Sequence, residues 1–149
     1  MEEKLFLNRF GRRFTIGLIV SISFLILYTI ISLMDAWPAG NYEEGVFAWC
    51  ESFSSGLILE PVNTLTNLAF VVVGLVILHR TDQQENSNLN GFTRGGVIPV
   101  VYAGAVISIG LGSFAMHGTR TVFGGFLDWS GMLVFILFPV LYRLREFIG

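Results

Sequence analysis

Three side chains that can take part in catalysis occur in one apolar stretch of the chain, Gly110–Met132. They are Ser113, His117 and Asp128, of which the first two are four residues apart and therefore share one face of a helix. Placing a carboxylate or an imidazole in an apolar segment of membrane-spanning length costs free energy. These three residues are therefore the first candidates for a functional site.

Two kinds of hydrolytic chemistry can use a serine, a histidine and an aspartate. In the first, His117 binds zinc, Asp128 takes a proton from the metal-bound water, and the Ser113 hydroxyl stabilises the developing oxyanion. In the second, which needs no metal, Ser113 is the nucleophile, His117 is its base and Asp128 orients that base. No nucleophile elbow surrounds Ser113, and this disfavours the second mechanism.

The histidines of this sequence cannot complete a zinc site by themselves. Catalytic zinc usually has three protein ligands, whereas the chain has two histidines, His79 and His117. The predicted spans place these two on opposite sides of a hydrocarbon layer about 30 Å thick. Further ligands must be Asp128, Glu60 or Glu51, or must come from elsewhere.

The elements that position these residues are predicted to be transmembrane helices. Of the 149 residues, 53% are hydrophobic and 13% are charged, whereas soluble domains have about 25% charged residues. Four apolar segments are long enough to span a bilayer, at about 14–34, 61–79, 97–117 and 125–143. The first exceeds the roughly 7–15 residues of a signal-peptide core and is predicted to be retained. We therefore predict an all-α polytopic transmembrane helical bundle that forms a single membrane domain over residues 1–149.

The positive residues predict how these helices are oriented. Eight of the nine Lys and Arg residues fall in the N-terminal arm, the second loop and the C-terminal tail, and Arg120 alone falls on the opposite side. Both termini are therefore predicted to be cytoplasmic. Glu60, Ser113, His117 and Asp128 then meet near the outer leaflet, although they belong to three helices. No basic patch indicates a nucleic-acid partner.

Other small and polar residues are predicted to pack helices together. Asn63 and Asn67 are four apart on one face, where hydrogen bonding between helices is favoured over contact with a substrate. Gly104, Ser108 and Gly112 form a stripe of small residues that lets a neighbouring helix approach closely.

Several motifs of the chain resemble those of a known family. The sequence reads GLGSFAMHGT around His117 and DWSGM from Asp128, eleven residues further on. Upstream it reads WCE at 49–51 and EPVNTLTNL from Glu60. Over Trp49–Met132 these motifs resemble the alkaline ceramidase family, part of a superfamily of seven-helix membrane hydrolases that includes the adiponectin and progestin receptors.

The resemblance implies an intramembrane zinc amidase that cleaves ceramide, a membrane lipid, into a sphingoid base and a fatty acid. By position, His117 would be a zinc ligand, Ser113 would stabilise the oxyanion and Asp128 would handle the proton of the attacking water. The substrate would be a ceramide-like lipid reached from the bilayer.

Some members of that family also bind calcium through an acidic cluster at the start of the core. Trp49, Glu51 and Glu60 match this cluster. However, Ala48 stands where an aspartate is expected, and the asparagine position falls on Phe53 or a neighbour. The resemblance therefore supports calcium less than it supports zinc.

Two features depart from the family. The paired histidines H-x-x-x-H of its last helix have no counterpart here, and the helix at 14–34 precedes a ceramidase-like core at 49–149. We expect either a truncated form of a longer protein or a chain whose site is completed by partner helices or by a homo-oligomer. The alternatives in function are a receptor-like or catalytically dead membrane protein of the same fold, and a metal-free intramembrane serine hydrolase.

Overall fold

Helices make up most of the described chain. The computed structural model describes residues 10–37, 51–83 and 96–148, so Ala48 and Trp49 of the predicted motifs lie outside the described residues. The helices within these ranges follow the order α1 (Arg12–Leu33), α2 (Pro61–Thr66), α3 (Leu68–Gln83), α4 (Val97–Thr119) and α5 (Val122–Ile148).

The described residues contain four helical segments that are long and apolar enough to cross a membrane. These segments are Arg12–Leu33, Pro61–Gln83, Val97–Thr119 and Val122–Arg145. They confirm the predicted all-helical fold with four spans. The last segment begins at Val122 rather than near residue 125, and its helix continues through Pro139.

The second span is interrupted at Asn67, which lies between α2 and α3. Its side-chain amide donates to the carbonyl of Asn63 over 2.7 Å, and its own carbonyl accepts from the Phe70 N–H over 3.1 Å. The side-chain amide of Asn63 donates to the Glu60 carboxylate over 3.2 Å. These hydrogen bonds are local, not between helices as predicted, because Asn63 finds an acceptor in Glu60 before α2 and Asn67 finds one in the carbonyl of Asn63.

A tight turn joins α4 to α5. Arg120 adopts the left-handed conformation with φ of 52°, and its N–H donates to the carbonyl of Met116 over 2.7 Å. The Thr121 hydroxyl then accepts the N–H of Gly124 over 3.0 Å, as a helix N-cap does. Because only two residues separate the helices, the end of α4 lies beside the start of α5.

The central helix of the bundle is α4, which packs against α1, α3 and α5. The main apolar core joins α3 to α4 and consists of Val71, Leu75, Leu78, Ala103, Ile107 and Leu111. A Cβ atom added at Gly112 would lie 2.5 Å from the Leu127 carbonyl oxygen, so α5 approaches α4 closely there. Gly104 has no such neighbour within 4 Å. The predicted stripe of small residues is therefore a helix contact at Gly112 but not at Gly104.

At the other end of the bundle, side chains of α1 and α3 cap each other's helix ends by hydrogen bonds. The Asp82 carboxylate accepts the N–H of Phe14 over 3.0 Å, at the start of α1. Arg13 donates from Nη1 to the carbonyl of Thr81 over 3.3 Å, at the end of α3. His79 lies at this end and its Nδ1 is 3.0 Å from the carbonyl oxygen of Phe10.

Candidate functional site

A buried carboxylate lies where the start of α2 meets the end of α4. Glu60 precedes α2 and is 1% exposed. One of its oxygens, Oε2, is 2.5 Å from Nδ1 of His117, and the other, Oε1, is 3.3 Å from Nε of Arg120. The carboxylate is therefore shared between an imidazole and a guanidinium.

The three residues predicted for catalysis lie together at this end of the bundle. Ser113 is one helical turn before His117 on α4, and its side chain lies near the Asp128 carboxylate on α5. Asp128 is also close enough to His117 for an electrostatic interaction. This grouping depends on the short α4–α5 turn, because it places the second turn of α5 beside the last turns of α4.

The chain segment 51–60 packs against the end of α4, beside His117. The N–H groups of Leu59 and Glu60 donate to the carbonyls of Gly118 and His117 over 3.0 and 3.2 Å. These carbonyls belong to the last turn of α4, where helices leave such groups without intrahelical partners. The Tyr28 hydroxyl of α1 donates to the carbonyl of Leu57 over 3.0 Å. Helix α1 therefore helps to hold the segment in place.

Glu51 closes the N-terminus of α2. Its two carboxylate oxygens accept the backbone N–H groups of Val62 and Asn63, each over 2.8 Å. A negative charge is stabilised at this position because the first N–H groups of a helix lack partners and carry partial positive charge. The two acids that the resemblance assigned to calcium thus have different protein partners, backbone N–H groups for Glu51 and side chains for Glu60.

Glu60 also fixes the tautomer of His117. An ionised carboxylate can only accept a hydrogen bond, so Nδ1 of a neutral His117 carries the hydrogen. The lone pair of the ring is then on Nε2. Histidines that bind metals or accept protons are commonly oriented in this way by a carboxylate on the other nitrogen.

The described residues do not hold a catalytic zinc ion by themselves. Across residues 10–37, 51–83 and 96–148, no three His, Cys, Asp or Glu side chains are grouped to share a metal ion. The second histidine, His79, contacts the rings of Phe10 and Phe14 at the opposite end of the bundle. It lies roughly 25 Å from the level of His117 along the bundle, at a rise of 1.5 Å per helical residue. One imidazole is fewer than the three ligands that catalytic zinc usually takes.

Arg120 is the residue of this site that the sequence did not indicate. In the sequence, Arg120 is distinguished only as the single positive residue predicted on its side of the membrane. The structure buries it to 3% exposure and pairs it with Glu60. The available signal was an arginine far from all the others in the sequence and three residues after a candidate ligand.

A comparison of the chain with known proteins identifies one family. The sequence model of one family, described as Ceramidase, matches residues 41–147, which include Glu51, Glu60, Ser113, His117 and Asp128 and begin after α1. No curated protein and no solved structure matches the chain significantly. Because the family match covers more than half of the 149 residues, this chain belongs to the ceramidase family.

Proposed function

We propose that this chain is a ceramidase-type membrane hydrolase that cleaves a lipid amide at the site formed by Ser113, His117 and Asp128. The observation that carries the proposal is that Asp128 lies near Ser113 and close enough to His117 at the end of α4 for an electrostatic interaction. Family membership supports the same reaction class. The substrate would be ceramide or a similar amide of a fatty acid with a long-chain base.

In this proposal, Asp128 transfers the proton and Ser113 binds the reacting oxygen. A water molecule attacks the amide carbon while the Asp128 carboxylate takes one of its protons. The Ser113 hydroxyl, which lies near Asp128, donates a hydrogen bond to the carbonyl oxygen as negative charge develops there. The proton then passes from Asp128 to the amide nitrogen as the C–N bond breaks. The products are a fatty acid and a sphingoid base.

Zinc enters this proposal through His117 alone. Its Nε2 lone pair, set by the bond from Nδ1 to Glu60, is the imidazole ligand that the described residues offer at this end. The remaining ligands would come from outside the described residues, so none of the steps above is assigned to the metal. The calcium expected at Glu51 and Glu60 is not part of the proposed function.

The site would lie near the outer leaflet. The four candidate spans and the positive residues on the loops support cytoplasmic termini, which places the end of α4 on the other side. The exposed surface of α5 is largely apolar, as a helix facing lipid requires, with Leu133, Ile136, Leu137, Val140 and Leu141 exposed. A lipid could then reach Asp128 from within the bilayer.

The metal-free serine hydrolase finds less support in this geometry. That mechanism places an aspartate on Nδ1 of the histidine and the serine on the other ring nitrogen. Here Glu60 lies on Nδ1 of His117, so Asp128 does not have the orienting role that the predicted triad assigns to it.

A non-enzymatic relative of the same fold is the second candidate. One observation favours it, namely that the described residues supply a single imidazole at this end of the bundle and no three-residue metal cluster. Such a protein would bind a lipid at this end of the bundle without cleaving it.

An assay of amide hydrolysis distinguishes the two candidates. The purified protein in detergent micelles, supplied with zinc, is expected to convert ceramide into fatty acid and sphingoid base, both identified by mass spectrometry. Asp128→Asn removes the proton acceptor and is expected to lower kcat by roughly 10²–10⁴-fold. Asp82→Asn changes an aspartate at the opposite end of the bundle and serves as the matched control. If the wild-type protein forms neither product, the hydrolase is rejected and the non-enzymatic candidate is favoured.

A further inference from the structure

The Glu60 carboxylate is the most deeply buried charged group of the described site. Its side chain is 1% exposed, so it has almost no contact with solvent. A buried carboxylate without a cation or sufficient hydrogen bonds is strongly destabilising. Its stability therefore depends on the groups that surround it.

Arg120 supplies a permanent positive charge to this carboxylate. Its side chain is 4% exposed, and Nε is 3.3 Å from Oε1 of Glu60. The guanidinium carbon is 5.3 Å from the centre of the Phe53 ring, within the range of a cation–π contact. Arginine stays protonated even when buried. The left-handed backbone of Arg120 lies in the turn after α4, so the guanidinium reaches the segment 51–60 that carries both partners.

The same contacts leave little room for a divalent cation. Calcium takes about 6–8 oxygen ligands at 2.3–2.6 Å, whereas both Glu60 oxygens are in contact with nitrogen atoms of His117 and Arg120. Both oxygens of Glu51 accept backbone N–H groups. A divalent ion at Glu60 would also lie beside the guanidinium, and like charges in a buried site repel one another strongly.

We propose that Arg120 is the built-in cation of this cluster, so that the segment 51–60 folds onto α4 without calcium. The guanidinium neutralises Glu60, which in turn holds Nδ1 of His117. Arg120 is thus a positioning residue, acting through Glu60. This inference concerns what holds the segment in place and does not depend on whether the chain hydrolyses an amide.

Thermal unfolding with and without calcium tests the first half of the proposal. The purified protein in detergent is expected to unfold at the same temperature in millimolar calcium chloride and in EGTA. Saturation of a calcium site at about 100 times its Kd would instead raise Tm by roughly 5–10 °C. A shift of that size in the wild-type protein, saturating with calcium, would overturn the proposal.

Substitutions at Arg120 and Glu60 test the second half. Arg120→Leu leaves the carboxylate buried without its cation and is expected to lower Tm by roughly 10 °C. Arg120→Lys keeps the charge and is expected to recover much of that loss. The double variant Glu60→Gln with Arg120→Leu removes both charges and should be more stable than Arg120→Leu alone.

The double variant also keeps the test valid if Arg120→Leu does not fold, because it removes the unpaired charge. If Arg120→Leu is as stable as the wild type, or if the losses from Arg120→Leu and from Glu60→Gln, each made alone, simply add in the double variant, Arg120 is not the counter-ion of Glu60. Either result would reject the proposal whatever the outcome of the hydrolysis assay.

Discussion

The two ends of the bundle each contain one histidine, but they use their polar residues differently. At the His79 end, the Asp82 carboxylate accepts the N–H of Phe14 at the start of α1, and Arg13 donates to the carbonyl of Thr81 near the end of α3. His79 itself bonds to the backbone carbonyl of Phe10 and packs against two aromatic rings. These contacts close helix ends and account for the presence of a histidine there.

At the His117 end, helix termini are closed by other residues. Glu51 accepts the N–H groups at the start of α2, and Thr121 accepts one at the start of α5. A second group of polar residues lies at this end and is distinguished by its side chains rather than by its backbone groups: Glu60, Ser113, His117, Arg120 and Asp128. The difference teaches that a histidine near the end of an apolar helix indicates function only when its partners are not needed for capping.

The comparison is tested most severely by removing the carboxylate at each end. Glu60→Gln leaves Arg120 buried without its counter-ion, and loss of one partner of a buried pair costs about 3–5 kcal/mol. Asp82→Asn weakens a helix cap and a partly exposed ion pair, at a cost of about 1 kcal/mol. Unfolding free energies of both variants in detergent, measured with a chemical denaturant, provide the check. Equal losses of unfolding free energy in Glu60→Gln and Asp82→Asn would mean that the carboxylates at the two ends contribute equally to stability.

A smaller effect is expected from two glycines on α4, one toward each end. Gly112→Ala places a methyl group against the Leu127 backbone and forces α5 away from α4, at a cost of about 1–3 kcal/mol. Because Asp128 follows Leu127, the same variant should also lower any hydrolytic activity. Gly104→Ala meets no atom within 4 Å and is expected to leave stability unchanged or raise it by about 0.5–1 kcal/mol. Thermal unfolding of the two variants side by side would contradict the account if Gly104→Ala were the more damaging.

The smallest effect is expected at the His79 end, from Arg13→Gln. The Arg13 and Asp82 side chains are 28% and 13% exposed, and Nε lies 3.9 Å from Oδ1. Ion pairs of this kind contribute about 0–1 kcal/mol and weaken as salt is added. The loss of unfolding free energy should therefore be small and should shrink at high ionic strength. A large loss that salt does not change would show that this pair resembles the buried pair of Glu60.

The four apolar segments and the spacing of the candidate catalytic residues could be predicted from the sequence. Four uncharged or nearly uncharged runs predict four helices, and helical spacing puts Ser113 and His117 on one face. Because consecutive spans run in opposite directions, Asp128 near the start of α5 then lies at the same end. These predictions succeed because they depend on periodicity and length, which are properties of the sequence itself.

The contacts of Glu60 and Arg120 could not be predicted in the same way. They depend on the left-handed turn at Arg120 and on the path of the segment 51–60, neither of which has a periodic signal. The break at Asn67 was likewise missed, because an asparagine amide can bond within its own segment as readily as to a neighbouring helix. The packing of Gly112 but not Gly104 follows from where α5 crosses α4.

The central claim is that the His117 end is a site of lipid-amide hydrolysis and the His79 end is structural. The most direct measurement compares ceramide hydrolysis by the wild-type protein, His117→Ala and His79→Ala, with unfolding temperatures recorded for each. We predict that His117→Ala lowers the rate at least about 100-fold while His79→Ala retains most of it. The proposed role of the His117 end would be contradicted if folded His117→Ala protein hydrolysed ceramide as fast as the wild type, or if both variants lost activity equally.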